Sequence, residues 1–174
     1  MRLFVAVNFG SGVCARLTSL QGELRGKSRR GSFTLPGNIH LTLTFLGECS
    51  GEQTAAAKAA LDAVCFEPFT IEIDRVGCFK RGDGDIWWAG VSESKPLLVL
   101  QNQLTDKLTD EGFVLDSRKY SPHITLGRRV EGDITGWSIE PFVETVLSVE
   151  LMKSERIHGK LRYTRVYRKA AEPI

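Results

Sequence analysis

A chain of 174 residues that is 42% apolar and 25% charged can build an ordinary core without disulfides or structural metal. Its 23 Lys and Arg against 21 Asp and Glu leave a net charge of +2, which excludes binding of nucleic acid through bulk charge alone. No apolar stretch approaches the ~20 residues of a membrane span, and the opening MRLFVAVNFG is too short for a signal sequence, so a soluble, cytoplasmic chain is expected.

Residues 2–8 form a continuous apolar run, the pattern of a first strand buried on both faces. Val13, Leu17, Leu20 and Leu24 then fall at helical spacing, with Ser11 as N-cap and Gly26 near the C-terminus. Residues 27–37, with Gly31, Pro36 and Gly37, read as loop, and 39–46 as a strand. Ser50 to Gln53 is a capping-box pattern opening an Ala-rich helix up to about Cys65. Beyond Pro68, Phe69, Ile71 and Ile73 alternate with polar residues as a strand, KRGDGD reads as a hairpin turn, and IWWAGV as the next strand. Ser94 and Pro96 open a third helix with Leu97, Leu100, Leu104 and Leu108 on one face and Gly112 closing it. Two further strand-like stretches lie near 142–152 and 160–168, and nothing reads as an interdomain linker. Cys14, Cys49, Cys65 and Cys78 make no C-x-x-C pair and have no His at ligand spacing, so free thiols in a reducing compartment are expected.

Two of the three histidines stand in one frame: His40-Leu-Thr42-Leu and His123-Ile-Thr125-Leu. For one His, that pattern arises by chance about 1% of the time at average composition, so a pair needs an explanation. The surroundings repeat as well. Phe4 precedes His40 by 36 residues and Trp87 precedes His123 by 36, each time in the order strand, helix, loop, His–Thr strand. The expected fold is therefore α+β: two pseudo-symmetric lobes with antiparallel-rich sheets, helices on the outer faces and a central cleft, all within one domain of residues 1–174.

Alternation along a strand puts His40 and Thr42 on one face, opposed by Leu41 and Leu43, and likewise His123 and Thr125 opposed by Ile124 and Leu126. If the two faces share a cleft, two imidazoles flank a substrate, one taking and one giving a proton, while two hydroxyls donate to oxyanions. That constellation suits phosphoryl transfer, with in-line entry and departure of oxygens, and no cofactor is expected. A single such frame would more often be an ordinary strand with Thr present for β-propensity; the duplication at matching positions is what favours chemistry.

The basic residues cluster at Arg25, Lys27, Arg29 and Arg30, and again at Lys153, Arg156, Lys160, Arg162, Arg165, Arg168 and Lys169. Each cluster reads equally as a phosphate-holding patch or a solvated face. Trp87 and Trp88 face opposite sides of a strand, one into the core; the other, with Phe45 and Tyr120, is a stacking candidate, though core packing is the commoner fate of such rings. His158 lies outside any frame and reads as a hairpin residue.

The stretches NIHLTLTFLGE and SPHITLGR, with MRLFVAV, IWWAGV and LMKSERIHGKLRY around them, resemble the 2H phosphoesterases, specifically the RNA 2′,3′-cyclic phosphodiesterase branch, also called the 2′-5′ RNA ligase family. The resemblance implies metal-independent hydrolysis of RNA 2′,3′-cyclic phosphate ends to 2′-phosphate ends. Carried over by position, it makes His40 the proton donor, His123 the proton acceptor, and Thr42 and Thr125 the holders of the phosphate oxygens. It also implies Arg128 as a phosphate ligand. Strict alternation from His123 would instead bring Arg129 to the cleft, and a bulge near Gly127 would reconcile the two. Many relatives carry a basic residue where this chain has Thr44. Phe45 and Trp88 complete the expected substrate contacts. The expected partner is RNA with a cyclic phosphate end, acted on by a monomer; strand joining by the reverse reaction and silent binding of RNA ends are the alternatives. Water at ~55 M and the entropy of positioning a second strand favour hydrolysis over joining.

Overall fold

A computed structural model describes residues 1–173. The chain runs β1 (Arg2–Val7), α1 (Ser11–Lys27), β2 (Arg30–Phe33), a 3-10 turn (Pro36–Asn38), β3 (Leu41–Glu48), α2 (Gly51–Asp62), β4 (Phe69–Phe79), β5 (Asp85–Val91), α3 (Lys95–Asp110), β6 (His123–Glu131), β7 (Trp137–Val146), β8 (Ser148–Ile157) and β9 (Lys160–Ala170). The strands form two sheets, ordered β3-β1-β8-β9 and β2-β6-β5-β4-β7, with every pairing antiparallel. This is the α+β arrangement the sequence foretells.

Local signals explain most of the elements. Ser50 Oγ accepts from Gln53 N at 3.1 Å while Gln53 Oε1 accepts from Ser50 N at 2.8 Å, closing the capping box of α2. Ser94 caps α3 at Leu97 N, and Gly112, at φ +95°, supplies the left-handed residue that ends it. Leu97, Leu100, Leu104 and Leu108 are all at most 1% exposed, as their spacing demands.

Four expectations need correction, each because a long-range contact overrides a local signal. Ser11 does not cap α1; Gly10 holds that position, with its N–H donated to Glu144 Oε2 of β7 at 2.8 Å. α2 stops at Asp62 rather than near Cys65, because both backbone groups of Cys65 are taken by the Gln103 side chain of α3. The segment 27–37 contains β2, whose RGSF sequence carries no hydrophobic alternation and becomes a strand only by pairing with the edge of β6. The stretch 142–152 is two strands: β7 starts at Trp137, and the chain passes at Leu147 from the five-stranded sheet into the four-stranded one.

Two of the three helices cross between the sheets, while α2 stays against β8 and β9 of the sheet whose strand β3 it follows. α1 follows β1 of the four-stranded sheet yet packs on β2, β6 and β7; α3 follows β5 of the five-stranded sheet yet lies against β3 and α2. Each His–Thr strand is also bulged just after its Thr. In β3 the register with β1 jumps so that Leu43 is extra, and in β6 the register with β5 jumps so that Leu126 is extra. An extra residue leaves backbone groups outside the ladder. Gln101 Nε2 of α3 donates to Leu43 O at 3.3 Å, and Gln21 Nε2 of α1 donates to Leu126 O at 2.9 Å and to Thr34 O at 2.7 Å. The crossing helices thus brace the bulges that follow the two motifs, Leu126 O accepting from Thr34 N at 3.0 Å as well. Gln21 is 3% exposed, so Gln21→Leu is expected to cost about 1–3 kcal/mol by orphaning the Thr34 carbonyl. A urea midpoint that falls with an unchanged m-value would show it.

Candidate active site

The two motifs meet. β3 and β6 lie against each other across the two sheets, with His40 immediately before β3 and His123 opening β6. Leu41, Leu43, Ile124 and Leu126 are at most 2% exposed in the helix-covered core, so alternation turns His40, Thr42, His123 and Thr125 to the opposite side, away from the helices. Thr42 is paired with Ala6, and Thr125 with Trp88.

The imidazoles are held alike. His40 Nδ1 lies 2.7 Å from Asn38 O, and His123 Nδ1 lies 2.7 Å from Ser121 O. A carbonyl only accepts, so in both rings Nδ1 is the donor and Nε2 is the nitrogen left for chemistry. His40 Nε2 is 2.8 Å from Thr42 Oγ1, whereas His123 Nε2 and the Thr125 hydroxyl make no hydrogen bond among the described residues. Aromatic rings wall both histidines: Phe4 at 4.9 Å and Tyr163 edge-on at 5.1 Å from His40, and Phe79 edge-on at 4.9 Å from His123. Tyr120 donates its hydroxyl to Thr42 O at 2.8 Å, and burial raises its pKa, so it stays a neutral brace.

Burial pushes His40 below its ordinary value of 6.5; the Asn38 carbonyl pulls it up, and the charges of Arg128 and His123 push it down again. Burial likewise lowers His123, opposed by the Ser121 carbonyl and aided by Arg128. Burial raises Tyr163, and the charge of Arg128 opposes that rise. One guanidinium therefore bears on both imidazoles and on the aromatic wall. For both histidines the folded value lies below the unfolded one, so the unfolded chain binds protons more tightly. Their neutral burial costs stability progressively as pH falls from about 6.5 through the folded values.

Arg128 and Arg129 part ways at the bulges around Gly127. The register jumps on both sides of that residue, and Arg129 takes φ 53°. Arg129 lines a depression of about 260 Å³ on the outer rim with Arg30, Ser32, Asp83 and Glu131, away from the histidines. Strict alternation fails here because two extra residues reset which face the strand presents. The same effect governs β3: Thr44 pairs with the core residue Val5, while Phe45 pairs with Phe4, its ring 6.2 Å away, and is 67% exposed. The matched spacing of Phe4 and Trp87 does not carry matched facing. Phe4 touches His40, whereas Trp87 is core at 2% exposure and Trp88 takes the opposite side. Trp88 lies flat over Gly77, where any Cβ would come within 2.6 Å of the indole, with Phe79 at 5.4 Å and Arg75 at 5.7 Å. That leaves it less accessible than Phe45.

His158, at φ 51°, sits with Gly159 in the turn joining β8 to β9. Of the first basic cluster, Arg25 lies over Phe33, Lys27 over Trp137, and Arg30 pairs with Glu131 at 2.8 Å. In the second, Lys153, Arg165 and Lys169 face Glu155, Glu150 and Glu172. The residues the sequence did not mark are Asn38, in the 3-10 turn two residues before His40, and Phe79 and Tyr163, which reach the histidines from β4 and β9; none carries a local signature.

The family description "2′-5′ RNA ligase superfamily" matches residues 12–158. An RNA 2′,3′-cyclic phosphodiesterase of Archaeoglobus fulgidus is 37% identical over 129 residues, covering 74% of this chain and 72% of its own length. One from Methanothermobacter thermautotrophicus is 27% identical over 99% of this chain and 90% of its own. The crystal structure of Escherichia coli LigT complexed with 3′-AMP superposes with TM-score 0.83 at 27% identity, over 98% of this chain and 97% of that one. Two bulged strands that carry His and Thr away from the helix-covered core, together with a family match over most of the chain's length, lead to one conclusion: this chain belongs to the 2′-5′ RNA ligase superfamily.

Proposed function

We propose that this chain hydrolyses the 2′,3′-cyclic phosphate end of RNA to a 2′-phosphate end by metal-independent two-histidine catalysis. The observation that carries the reading is the pairing of His40 and His123. Both feel the charge of Arg128, His40 also feels that of His123, and each is tied back through Nδ1 so that Nε2 is the nitrogen turned to chemistry. The relatives' printed name, RNA 2′,3′-cyclic phosphodiesterase, supports the substrate class.

In the proposed step, His123 Nε2 takes a proton from water as its oxygen attacks phosphorus. The P–O3′ bond breaks in line, and His40 gives its Nε2 proton to the departing O3′. Thr42 and Thr125 donate to the non-bridging oxygens, and Arg128 offsets their charge. Substrate arrival turns the Thr42 hydroxyl from His40 Nε2 to the phosphate, freeing that nitrogen to act. Proton exchange with solvent resets both imidazoles. The order of roles follows the family resemblance, since the two rings are held almost equivalently. Phe45, exposed beside Phe4, offers a face for the terminal base. Four free cysteines suit a reducing cytoplasm as its setting, with the chain acting as a monomer.

The test is incubation of the purified protein, with EDTA, on an oligonucleotide bearing a 2′,3′-cyclic phosphate. A 2′-phosphate product supports the reading, a 3′-phosphate reassigns the branch, and absence of turnover sinks it. One imidazole must be neutral and one protonated, so kcat/KM follows a bell. Both groups are depressed below 6.5 in the free protein, so that bell peaks on the acid side of 6.5. The bound phosphate anion raises both groups, so the kcat profile is displaced to higher pH. Rate measurements from pH 4 to 9 check this, and a steady rise to pH 9 would contradict it.

A further inference from the structure

Asn38 is 6% exposed at the end of the 3-10 turn. Its side chain reaches β9, the last strand of its sheet, whose outer edge has no neighbouring strand. There Asn38 Nδ2 donates to Leu161 O at 2.8 Å, and Tyr163 N donates to Asn38 Oδ1 at 3.2 Å. One carboxamide thus stands in for a missing strand residue, satisfying two of the open groups of the edge, Leu161 O and Tyr163 N. The backbone carbonyl of the same residue accepts from His40 Nδ1 at 2.7 Å, and the ring of Tyr163, the residue it grips, packs edge-on to His40 at 5.1 Å. His123 has no equivalent clamp: its acceptor belongs to exposed Ser121, whose hydroxyl makes no hydrogen bond among the described residues.

We propose that Asn38 is a positioning residue which, by locking its side chain onto the β9 edge, fixes the carbonyl that keeps the proton of neutral His40 on Nδ1 and aims Nε2 into the cleft. The proposal rests on the reading of His40 as the acid. Edge protection alone requires an amide on β9 but not that the same residue's carbonyl hold the ring. A hydrogen bond to one ring nitrogen selects the tautomer and orientation of the other. With the carboxamide gone, the turn is released from β9, the carbonyl drifts, and the ring is free to rotate and to move its proton to Nε2.

The experiment compares wild type, Asn38→Ala and the milder Asn38→Ser, in which a hydroxyl remains near Leu161 O. Three quantities are read: ring ¹⁵N shifts of His40 without substrate, kcat and KM on the cyclic phosphate oligonucleotide, and the pH profile. Expected in wild type is the Nδ1–H form. In the variants the Nε2–H form gains population, and kcat falls roughly 10–100-fold with KM little changed. The basic limb of the profile moves to lower pH, because the carbonyl that favoured the charged ring is no longer held. A purely structural role would lower the melting temperature but leave the tautomer and the profile as in wild type, and that result overturns the proposal. Should wild type fail to turn over the substrate, the catalytic reading falls, while the substrate-free ¹⁵N spectra still decide what Asn38 does to the ring.

Discussion

His40→Ala and His123→Ala are each expected to lower kcat by ~10²–10⁴, the range supplied by one proton-transfer group, while the fold survives. Both imidazoles lie on the side away from the helices, outside the helix-covered core that contains Leu41, Leu43, Ile124 and Leu126. Removing His40 exposes edges of Phe4 and Tyr163 but opens no cavity under the helices. The melting temperature should therefore move by only a few degrees, about what a loss near 1 kcal/mol produces in a chain of this size. The double variant should be scarcely slower than the worse single one, because the two groups act in one step and their losses do not add. Single-turnover assays on the cyclic phosphate oligonucleotide, with circular dichroism melts alongside, measure both quantities. Turnover near wild type in either single variant would remove that residue from the reaction.

Arg128→Gln should be the next most damaging change, with a loss of ~10²–10³ in kcat/KM, the scale of one preorganised charge at a developing oxyanion. It has a second signature. The Arg128 charge holds both His40 and His123 down, so its removal lets both rise, and the whole kcat/KM bell shifts to higher pH. Arg129→Gln, on the outer rim, should leave kcat/KM within about twofold, as surface changes do. The two variants differ by one position in sequence and by a face in space. If Arg129→Gln proved the more harmful, the bulges at Gly127 would not be setting the face of this strand.

The fold class was legible because its signals are local. The capping box at Ser50, the leucine stripe of α3 and the glycine at Gly112 act within a few residues, and each element forms where they stand. The candidate site was legible for a related reason. Period-2 alternation from His40 and His123 predicts which neighbours are buried, and it holds for the few residues before each bulge. Beyond Thr42 and Thr125 it breaks. Phe45 rather than Thr44 lies beside Phe4, and Arg128 rather than Arg129 bears on the histidines, because extra residues in β3 and β6 shift their registers against β1 and β5.

By itself, then, the sequence determined two His–Thr strands, three helices with the N-caps of α2 and α3, and an antiparallel α+β plan. Only the tertiary structure decided that α1 and α3 cross to the opposite sheet, that RGSF is a strand, and that Asn38 of the 3-10 turn and Tyr163 of β9 hold and wall His40. The physical reason is range. Periodicity and capping are governed by atoms within a turn or two of chain. Register, bulges and edge satisfaction depend on backbone groups far apart in sequence finding partners, as Gln21 does at Leu126 and Asn38 does at Leu161.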